Sequence, residues 1–167
     1  IIIARGEVAI DMKRKEKIAA SSGMRVEQVI SAPDVDSVYD VPLNFEKDHL
    51  ADIVMRILKL KPKKPLDLSP WKSFVRKVDH PKGEVKIGVV GKYFATGDFV
   101  LADSYLSVIE AIKYSAYHAG KKPIIEWLTA DDFEGSKTAL KKLNKYDGII
   151  VPGGFGARGI EGKLRVI

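Results

Sequence analysis

The sequence predicts an α/β fold whose second half contains a partial doubly wound parallel sheet. After Val85, short apolar runs alternate with amphipathic stretches of helical period, and strands that alternate with helices favour parallel pairing. The run 148–151 is apolar without alternation, as in a strand that is covered on both faces. With 167 residues and 46% hydrophobic content, the chain can bury one core, or one core and part of another.

The first sixty residues predict short elements and one longer helix. Asp11 and Gly23 are typical of the start and end of a helix over 11–21. The β-prone pieces 29–30 and 35–39 follow it. A longer helix is predicted over 44–60, because five apolar residues there recur on one helical face: Leu50, Ile53, Val54, Ile57 and Leu58.

The stretch 59–65 contains four lysines and two prolines and interrupts regular structure. We therefore expect a domain over 1–60, an interdomain linker over 61–84 and a second domain over 85–167. Inside the linker, Ser69 and Pro70 are typical of a helix start, and this helix would carry Trp71, Phe74 and Val75.

The second domain is predicted to contain strands over 85–91, 124–128 and 148–151 and helices over 104–119 and 131–143. Gly120 is expected to end the first of these helices. Its inward-facing residues are expected to be Val108, Ala111, Ile112 and Ser115.

Glycine-rich turns mark the expected site. The segments 91–93 and 153–156 follow the first and third strands, and ligands of such sheets bind outside the carboxyl ends of the strands. Gly153, Gly154 and Gly156 permit positive φ, so the turn can aim amide N–H groups at an anion. Phosphate binding, an oxyanion hole and an ordinary tight turn all fit, whereas the spacing matches neither G-x-G-x-x-G nor a P-loop.

Composition limits the function classes. A net charge of +6 favours anionic partners in general, and nucleotides satisfy this preference as well as nucleic acid does. Because the basic residues are scattered and the lysines of 59–65 lack interleaved aromatic residues, we expect no nucleic-acid partner. The absence of cysteine excludes a disulfide, a cysteine-based zinc site and a cysteine nucleophile within this chain. The histidines His49, His80 and His118 lack metal-ligand spacing, so no metal site is predicted. No apolar run reaches the roughly 20 residues that span a bilayer, and we expect a cytoplasmic protein with no membrane contact.

Several motifs resemble the CTP synthase family over essentially the whole chain. Segments 90–93, 103–111 and 146–162 resemble the opening half of that family's class I glutaminase domain, which has a flavodoxin-like sheet. Arg5 and segments 15–19, 29–30, 34–39 and 41–42 resemble the end of its P-loop-type α/β synthetase domain, and Trp71 matches the family's linker.

The resemblance implies a two-part ligase. ATP with Mg²⁺ would phosphorylate the uracil O4 of UTP, and ammonia from glutamine would displace that phosphate to give CTP. GTP would be an allosteric activator, and the parent enzyme would be a homotetramer formed through the synthetase domains.

Individual positions acquire expected roles from the same resemblance. In the first domain, Arg5, Asp34 and Val35 match positions at the ATP site, and Lys17 matches a lysine that contacts UTP or CTP. In the second, Gly153 and Gly154 match the glutamine and oxyanion-hole glycines. Three further residues match positions that border the glutaminase site or the GTP site: Lys92, Tyr93 and Glu110.

The sequence also departs from a complete enzyme of this family. The nucleophilic cysteine with its His and Glu partners would lie beyond Ile167, and the Mg²⁺ carboxylates would lie before Ile1, so we expect this chain alone to be inactive. The stretch 94–102 is longer than in many relatives. The alternative function is a non-catalytic, nucleotide-binding regulatory module with a flavodoxin-like fold.

Overall fold

The computed structural model describes residues 1–92, 105–135, 137–154 and 156–167, apart from the side chain of Lys137. The chain divides into two compact units, Ile1–Val75 and Arg76–Ile167. Its elements, in chain order, are β1 (Ile2–Gly6), α1 (Met12–Ser22), β2 (Val29–Pro33), α2 (Val41–Lys47), α3 (Leu50–Ile57), α4 (Ser69–Asp79), β3 (Glu84–Gly91), α5 (Leu106–His118), β4 (Lys122–Thr129), α6 (Lys137–Leu140), β5 (Gly148–Ile150) and α7 (Ile160–Val166).

The first unit is built on two parallel strands. β1 pairs with β2 from Ile2 opposite Val29 to Gly6 opposite Pro33. Val29 and Ile30 are almost completely buried and provide the apolar centre of the unit. The predicted helix is confirmed as α1, because the Asp11 carboxylate accepts the Arg14 N–H at 2.8 Å and Gly23 ends the helix in the left-handed conformation.

The prediction of a β-prone piece over 35–39 is wrong. The chain leaves β2 at Pro33 and forms a 3-10 helical turn over Val38–Asp40. The Ser37 hydroxyl accepts the Tyr39 N–H, a local bond that competes with strand pairing.

The single helix predicted over 44–60 is also wrong, because the chain breaks it at Asp48 and His49 into α2 and α3. His49 adopts φ 54°, a left-handed conformation that disfavours a continuous helix. The break turns the Asp48 carboxylate inward, where Oδ2 accepts the Ser31 N–H of β2 at 2.7 Å and pairs with Lys15 Nζ of α1 at 2.6 Å. Of the predicted stripe, Ile53 is buried, but Ile57 and Leu58 are exposed.

Ordered structure follows the proline and lysine stretch. The predicted helix after Ser69 is confirmed as α4, and the Asp67 carboxylate accepts the Ser69 N–H at 2.9 Å. Within the first unit, the Trp71 indole N–H donates to the Tyr39 carbonyl at 2.8 Å, and Phe74 is buried against the Tyr39 ring. The predicted domain limits 1–60, 61–84 and 85–167 stay predictions.

The second unit confirms the predicted parallel sheet. Its strand order is β4-β3-β5, and both pairings are parallel. The consecutive residues Val89 and Val90 of the central strand are fully buried and point to opposite faces. Val89 packs with Ile112 of α5, whereas Val90 packs with Phe133 and Ala139, so each face of the central strand has its own apolar cluster.

Two helix predictions in this unit need correction. The buried stripe of α5 is Ile109, Ile112 and Ala116, whereas Ala111 and Ser115 are exposed along an apolar cavity of about 560 Å³. The helix predicted over 131–143 is interrupted. A 3-10 turn over Ala130–Phe133, the short helix α6 and a second 3-10 turn over Lys141–Lys145 replace it, and Gly135 at φ 77° separates the first two.

No helix among the described residues is long and apolar enough to cross a membrane.

Candidate functional site

The first candidate site lies at the carboxyl ends of β1 and β2. The Asp34 N–H donates to the Gly6 carbonyl at 2.9 Å, which continues the pairing by one step and places residue 34 beside β1. Arg5 Nε then lies 3.3 Å from Asp34 Oδ1. The side chains are 84% and 53% exposed, so this ion pair contributes little to stability and the guanidinium stays accessible to an anion.

Three of the four residues predicted to bind nucleotides in this unit line one cavity. Arg5, Asp34 and Val35 border a cavity of about 600 Å³, together with apolar residues that include Ile3 and Phe45. A space of this size with apolar walls and a few polar groups is typical of small-molecule sites. Lys17 lies elsewhere, exposed on α1, and is not one of the residues that border this cavity.

This cavity does not fit Mg²⁺. Among its described lining residues, Asp34 is the one carboxylate, and it is paired with Arg5. Mg²⁺ requires oxygen ligands in near-octahedral geometry. A single carboxylate whose charge is neutralised by a guanidinium does not provide them. We therefore derive no step through a metal ion at these residues.

A group of possible metal ligands occurs where α2 meets α3. Glu46, His49 and Asp52 place ligand atoms within 4.8 Å of one another, although the sequence predicted no metal site. His49 and Asp52 are exposed, and the strongly hydrated Mg²⁺ ion does not favour an imidazole ligand. The absence of a functional metal therefore stays a prediction.

The second candidate site is the glycine turn that follows β5. Gly153 and Gly154 are exposed, and a Cβ atom built on Gly153 has no neighbour within 4 Å among the residues that the structure describes. Neither glycine has positive φ, contrary to one reason given for their presence, whereas Gly156 does, at φ 82°. Space at the turn, rather than backbone strain, is what Gly153 provides.

Lys92 links the carboxyl end of β3 to this turn by a hydrogen bond. It follows β3 directly, is 5% exposed and donates a hydrogen bond from Nζ to the Gly156 carbonyl. Because β3 and β5 are neighbours in the sheet, the two turns meet at one edge, as the sequence predicted. Tyr93, the stretch 94–102 and Phe155 of the turn lie outside the described residues.

Lys163 is a site residue that sequence reasoning missed. It belongs to α7, is 8% exposed and donates from Nζ to the Pro152 carbonyl, at the opposite end of the turn from Lys92. Burial lowers the pKa of its ammonium group below the ordinary value, and the charge of Lys92 lowers this pKa further. The available signal was its spacing of four residues from Gly159, which places the lysine on the same helix face as that glycine.

Both lysines border Gly154. A Cβ atom on this glycine would lie 3.6 Å from Lys163 Nζ and 3.6 Å from Lys92 Cδ, which is ordinary van der Waals contact. Two buried cationic side chains therefore flank the backbone of the turn. This arrangement produces a positive potential where an anion or a developing oxyanion would be stabilised.

Glu110 is a partly exposed residue of α5. Its Oε1 atom pairs with Lys113 Nζ at 2.8 Å, an (i, i+3) ion pair on a half-exposed helix surface. This pairing is what a solvated helix glutamate would form, so a role of Glu110 in GTP binding stays a prediction.

Comparisons with known proteins match both units. Residues 1–60 match the family model described as CTP synthase N-terminus, and residues 100–167 match the model described as glutamine amidotransferase class-I. A CTP synthase from Thermococcus gammatolerans is 44% identical over 166 residues, which cover 99% of this chain and 30% of the relative. A CTP synthase from Symbiobacterium thermophilum is 42% identical over 170 residues, covering 100% of this chain and 30% of the relative.

A solved structure of the Trypanosoma brucei CTPS glutaminase domain with bound acivicin is also similar. Its sequence identity is 34%, the match covers 49% of this chain and 30% of that chain, and the TM-score is 0.42. The chain thus spans about 30% of the length of the curated relatives that it matches.

Proposed function

Since this chain belongs to the CTP synthase family in both of its units, we propose that it contributes a nucleotide-binding wall and an oxyanion turn to an enzyme that converts UTP to CTP. The enzyme uses ATP with Mg²⁺ and takes ammonia from glutamine. GTP acts as its activator, and it works in the cytoplasm as a homotetramer. The meeting of the Gly153–Gly154 turn with Lys92 at one sheet edge carries this proposal.

The chemistry at the turn is acyl transfer. A thiolate attacks the side-chain carbonyl of glutamine, and the carbonyl oxygen becomes an oxyanion that the N–H groups of Gly153 and Gly154 stabilise. Collapse of the tetrahedral intermediate releases ammonia and leaves a glutamyl thioester, which water hydrolyses to glutamate. Because this chain contains no cysteine, the nucleophile is supplied from outside these residues.

In the first unit, ATP is proposed to occupy the cavity beside Arg5. The guanidinium is a permanent cation with several donors, which suits a phosphate, and the exposed backbone at Asp34 and Val35 suits the edge of an adenine. The phosphoryl group passes from ATP to the uracil O4 of UTP. Ammonia then attacks the ring carbon that bears the phosphorylated O4, the bond from that carbon to O4 breaks, and inorganic phosphate leaves to give CTP.

The oxyanion role is tested by Gly153→Ala in the full-length protein. The added methyl group meets no atom of the described residues within 4 Å, and in this proposal it enters the space that glutamine would occupy. We expect kcat/KM for glutamine-dependent CTP formation to fall at least about tenfold, which corresponds to about 1.4 kcal/mol of transition-state stabilisation. CTP formation from added ammonium chloride should be unchanged. Equal rates with glutamine in variant and parent would contradict the role.

The nucleotide role is tested by comparing Arg5→Met with Lys17→Met. Loss of a charged donor to phosphate is worth roughly 1.5–3 kcal/mol, so we expect ATP affinity to weaken about tenfold or more in the Arg5 variant. The Lys17 variant removes the same charge outside the cavity and should leave ATP affinity within about twofold while weakening UTP. Titration of the full-length protein with each nucleotide measures both. Equal weakening of ATP in the two variants would show a general charge effect instead.

A further inference from the structure

Two buried lysines hold the two ends of the glycine turn by its carbonyl oxygens. Lys163 donates to Pro152, and Lys92 donates to Gly156. We propose, on the basis of the oxyanion role given to Gly153, that Lys163 is a positioning residue, which orients the peptide between Pro152 and Gly153 so that its N–H faces the glutamine carbonyl.

Peptide geometry determines the direction of the Gly153 N–H. In a trans peptide the carbonyl oxygen and the following N–H point in opposite directions. The Pro152 carbonyl points to Lys163, whose side chain is buried, so the Gly153 N–H points to the other side of the turn. Gly153 is exposed there, and within the described part of the chain no atom lies within 4 Å of a Cβ atom built on it. A hydrogen bond on the buried side thereby sets the direction of a donor on the open side.

The ammonium charge of Lys163 has a second effect. Desolvation of an ammonium group is costly, and the neighbouring charge of Lys92 adds to this cost for Lys163. The Pro152 carbonyl offsets part of it. An oxyanion that develops on the open side of the turn, across the Gly153 peptide from Lys163, would be attracted by this ammonium charge in the transition state rather than in the ground state. Lys163 therefore favours the reaction in addition to fixing the turn.

The packing of α7 explains how a lysine reaches this position. Gly162 lies directly against the Ala130 carbonyl, so α7 approaches the 3-10 turn Ala130–Phe133 without an intervening side chain. Gly159 lies one turn earlier on the same face, close to Asp131. The lysine stem enters beside these glycines, and its ammonium group ends under the turn.

The kinetic test uses the full-length protein with Lys163→Met, which keeps an unbranched apolar side chain but removes the donor and the charge. We expect kcat for glutamine hydrolysis to fall about 100-fold, in the range seen when an oxyanion donor is lost, with KM for glutamine within about twofold. Lys163→Arg should recover part of kcat. The exposed lysine Lys142 provides the matched control, and Lys142→Met should leave both constants unchanged.

Added ammonium chloride separates positioning from unfolding. CTP formation from ammonium should be equal in Lys163→Met and parent protein, because it bypasses the glycine turn. An equal loss with ammonium and with glutamine would overturn the positioning role and indicate a structural one. A kcat for glutamine within about twofold of the parent would also overturn the positioning role.

A second measurement does not depend on catalysis. In the 167-residue chain labelled with ¹⁵N, Lys163→Met should shift the Gly153 amide resonance and speed its hydrogen exchange, whereas Lys142→Met should do neither. An unmoved Gly153 amide would overturn the inference while leaving the oxyanion role open to the Gly153→Ala test. A displaced amide with unchanged kcat would overturn both the inference and the oxyanion role of Gly153.

Discussion

Replacement of Gly162 by alanine is expected to destabilise the second unit by about 3 kcal/mol, the upper part of the usual range for overpacking a close contact. A Cβ atom at this position would lie 1.8 Å from the Ala130 carbonyl oxygen and 2.7 Å from its carbon. Both are backbone atoms, so no side-chain rotation can relieve the contact, and α7 must move away from the 3-10 turn that it packs against. Helix propensity has the opposite sign, because alanine is favoured over glycine by about 1 kcal/mol inside a helix.

Urea unfolding measured by Trp127 fluorescence, in a Trp71→Phe background, reports on this unit. The matched control is Gly153→Ala, which adds the same methyl group in open space and should change the free energy of unfolding by less than about 0.5 kcal/mol. If Gly162→Ala equals or exceeds the control in stability, the close approach of α7 to Ala130 is wrong. Loss of the α7 position should also release Lys163 from Pro152.

Replacement of Asp48 by alanine should destabilise the first unit by about 2 kcal/mol, because it leaves the Ser31 N–H and the Lys15 ammonium without their acceptor. The Lys15 and Asp48 side chains are 13% and 24% exposed, so water replaces the lost bonds only in part. Urea unfolding followed by Trp71 fluorescence, in a Trp127→Phe background, measures this change.

The same carboxylate predicts a pH dependence. Burial acts to raise the pKa of Asp48, but the hydrogen bonds from Lys15 and the Ser31 N–H, with the Lys15 and His49 charges, outweigh it and hold this pKa below its ordinary value. A lowered folded-state pKa means that the stabilisation is complete above the unfolded value and is lost as pH falls through the folded value. Stability of the first unit should therefore decline as pH falls below about 4.

Asp48→Asn is the matched variant for this test. Its amide oxygen can still accept one hydrogen bond, so it should be less destabilised than Asp48→Ala at neutral pH, and it carries no titrating group. Its stability should depend less on pH between about pH 5 and pH 2.5 than that of the parent chain. An identical acid decline in the parent and the Asn variant would assign the decline to other carboxylates.

The sequence by itself determined the order of strands and helices in the second unit and the edge at which its two turns meet. Runs such as 85–91 and 148–151 are rich in apolar residues, as in strands that are covered on both faces. A parallel sheet places the carboxyl ends of such strands together whatever the details of packing. The same local signals located α1, since the Asp11 cap and the Gly23 stop act within a few residues. The resemblance to CTP synthases was likewise carried by contiguous motifs.

Only the tertiary structure decided features that depend on residues far apart in the chain. The helical period of 44–60 concealed the break at Asp48, because the hydrogen bonds that favour the break come from Lys15 and Ser31. The burial of Lys163 was equally hidden, since a lysine on a short helix is normally solvated, and its inward direction depends on the close contact of Gly162 with Ala130. Local periodicity reports which residues prefer an interior, whereas the partners that make a buried charge or a broken helix favourable are fixed by packing.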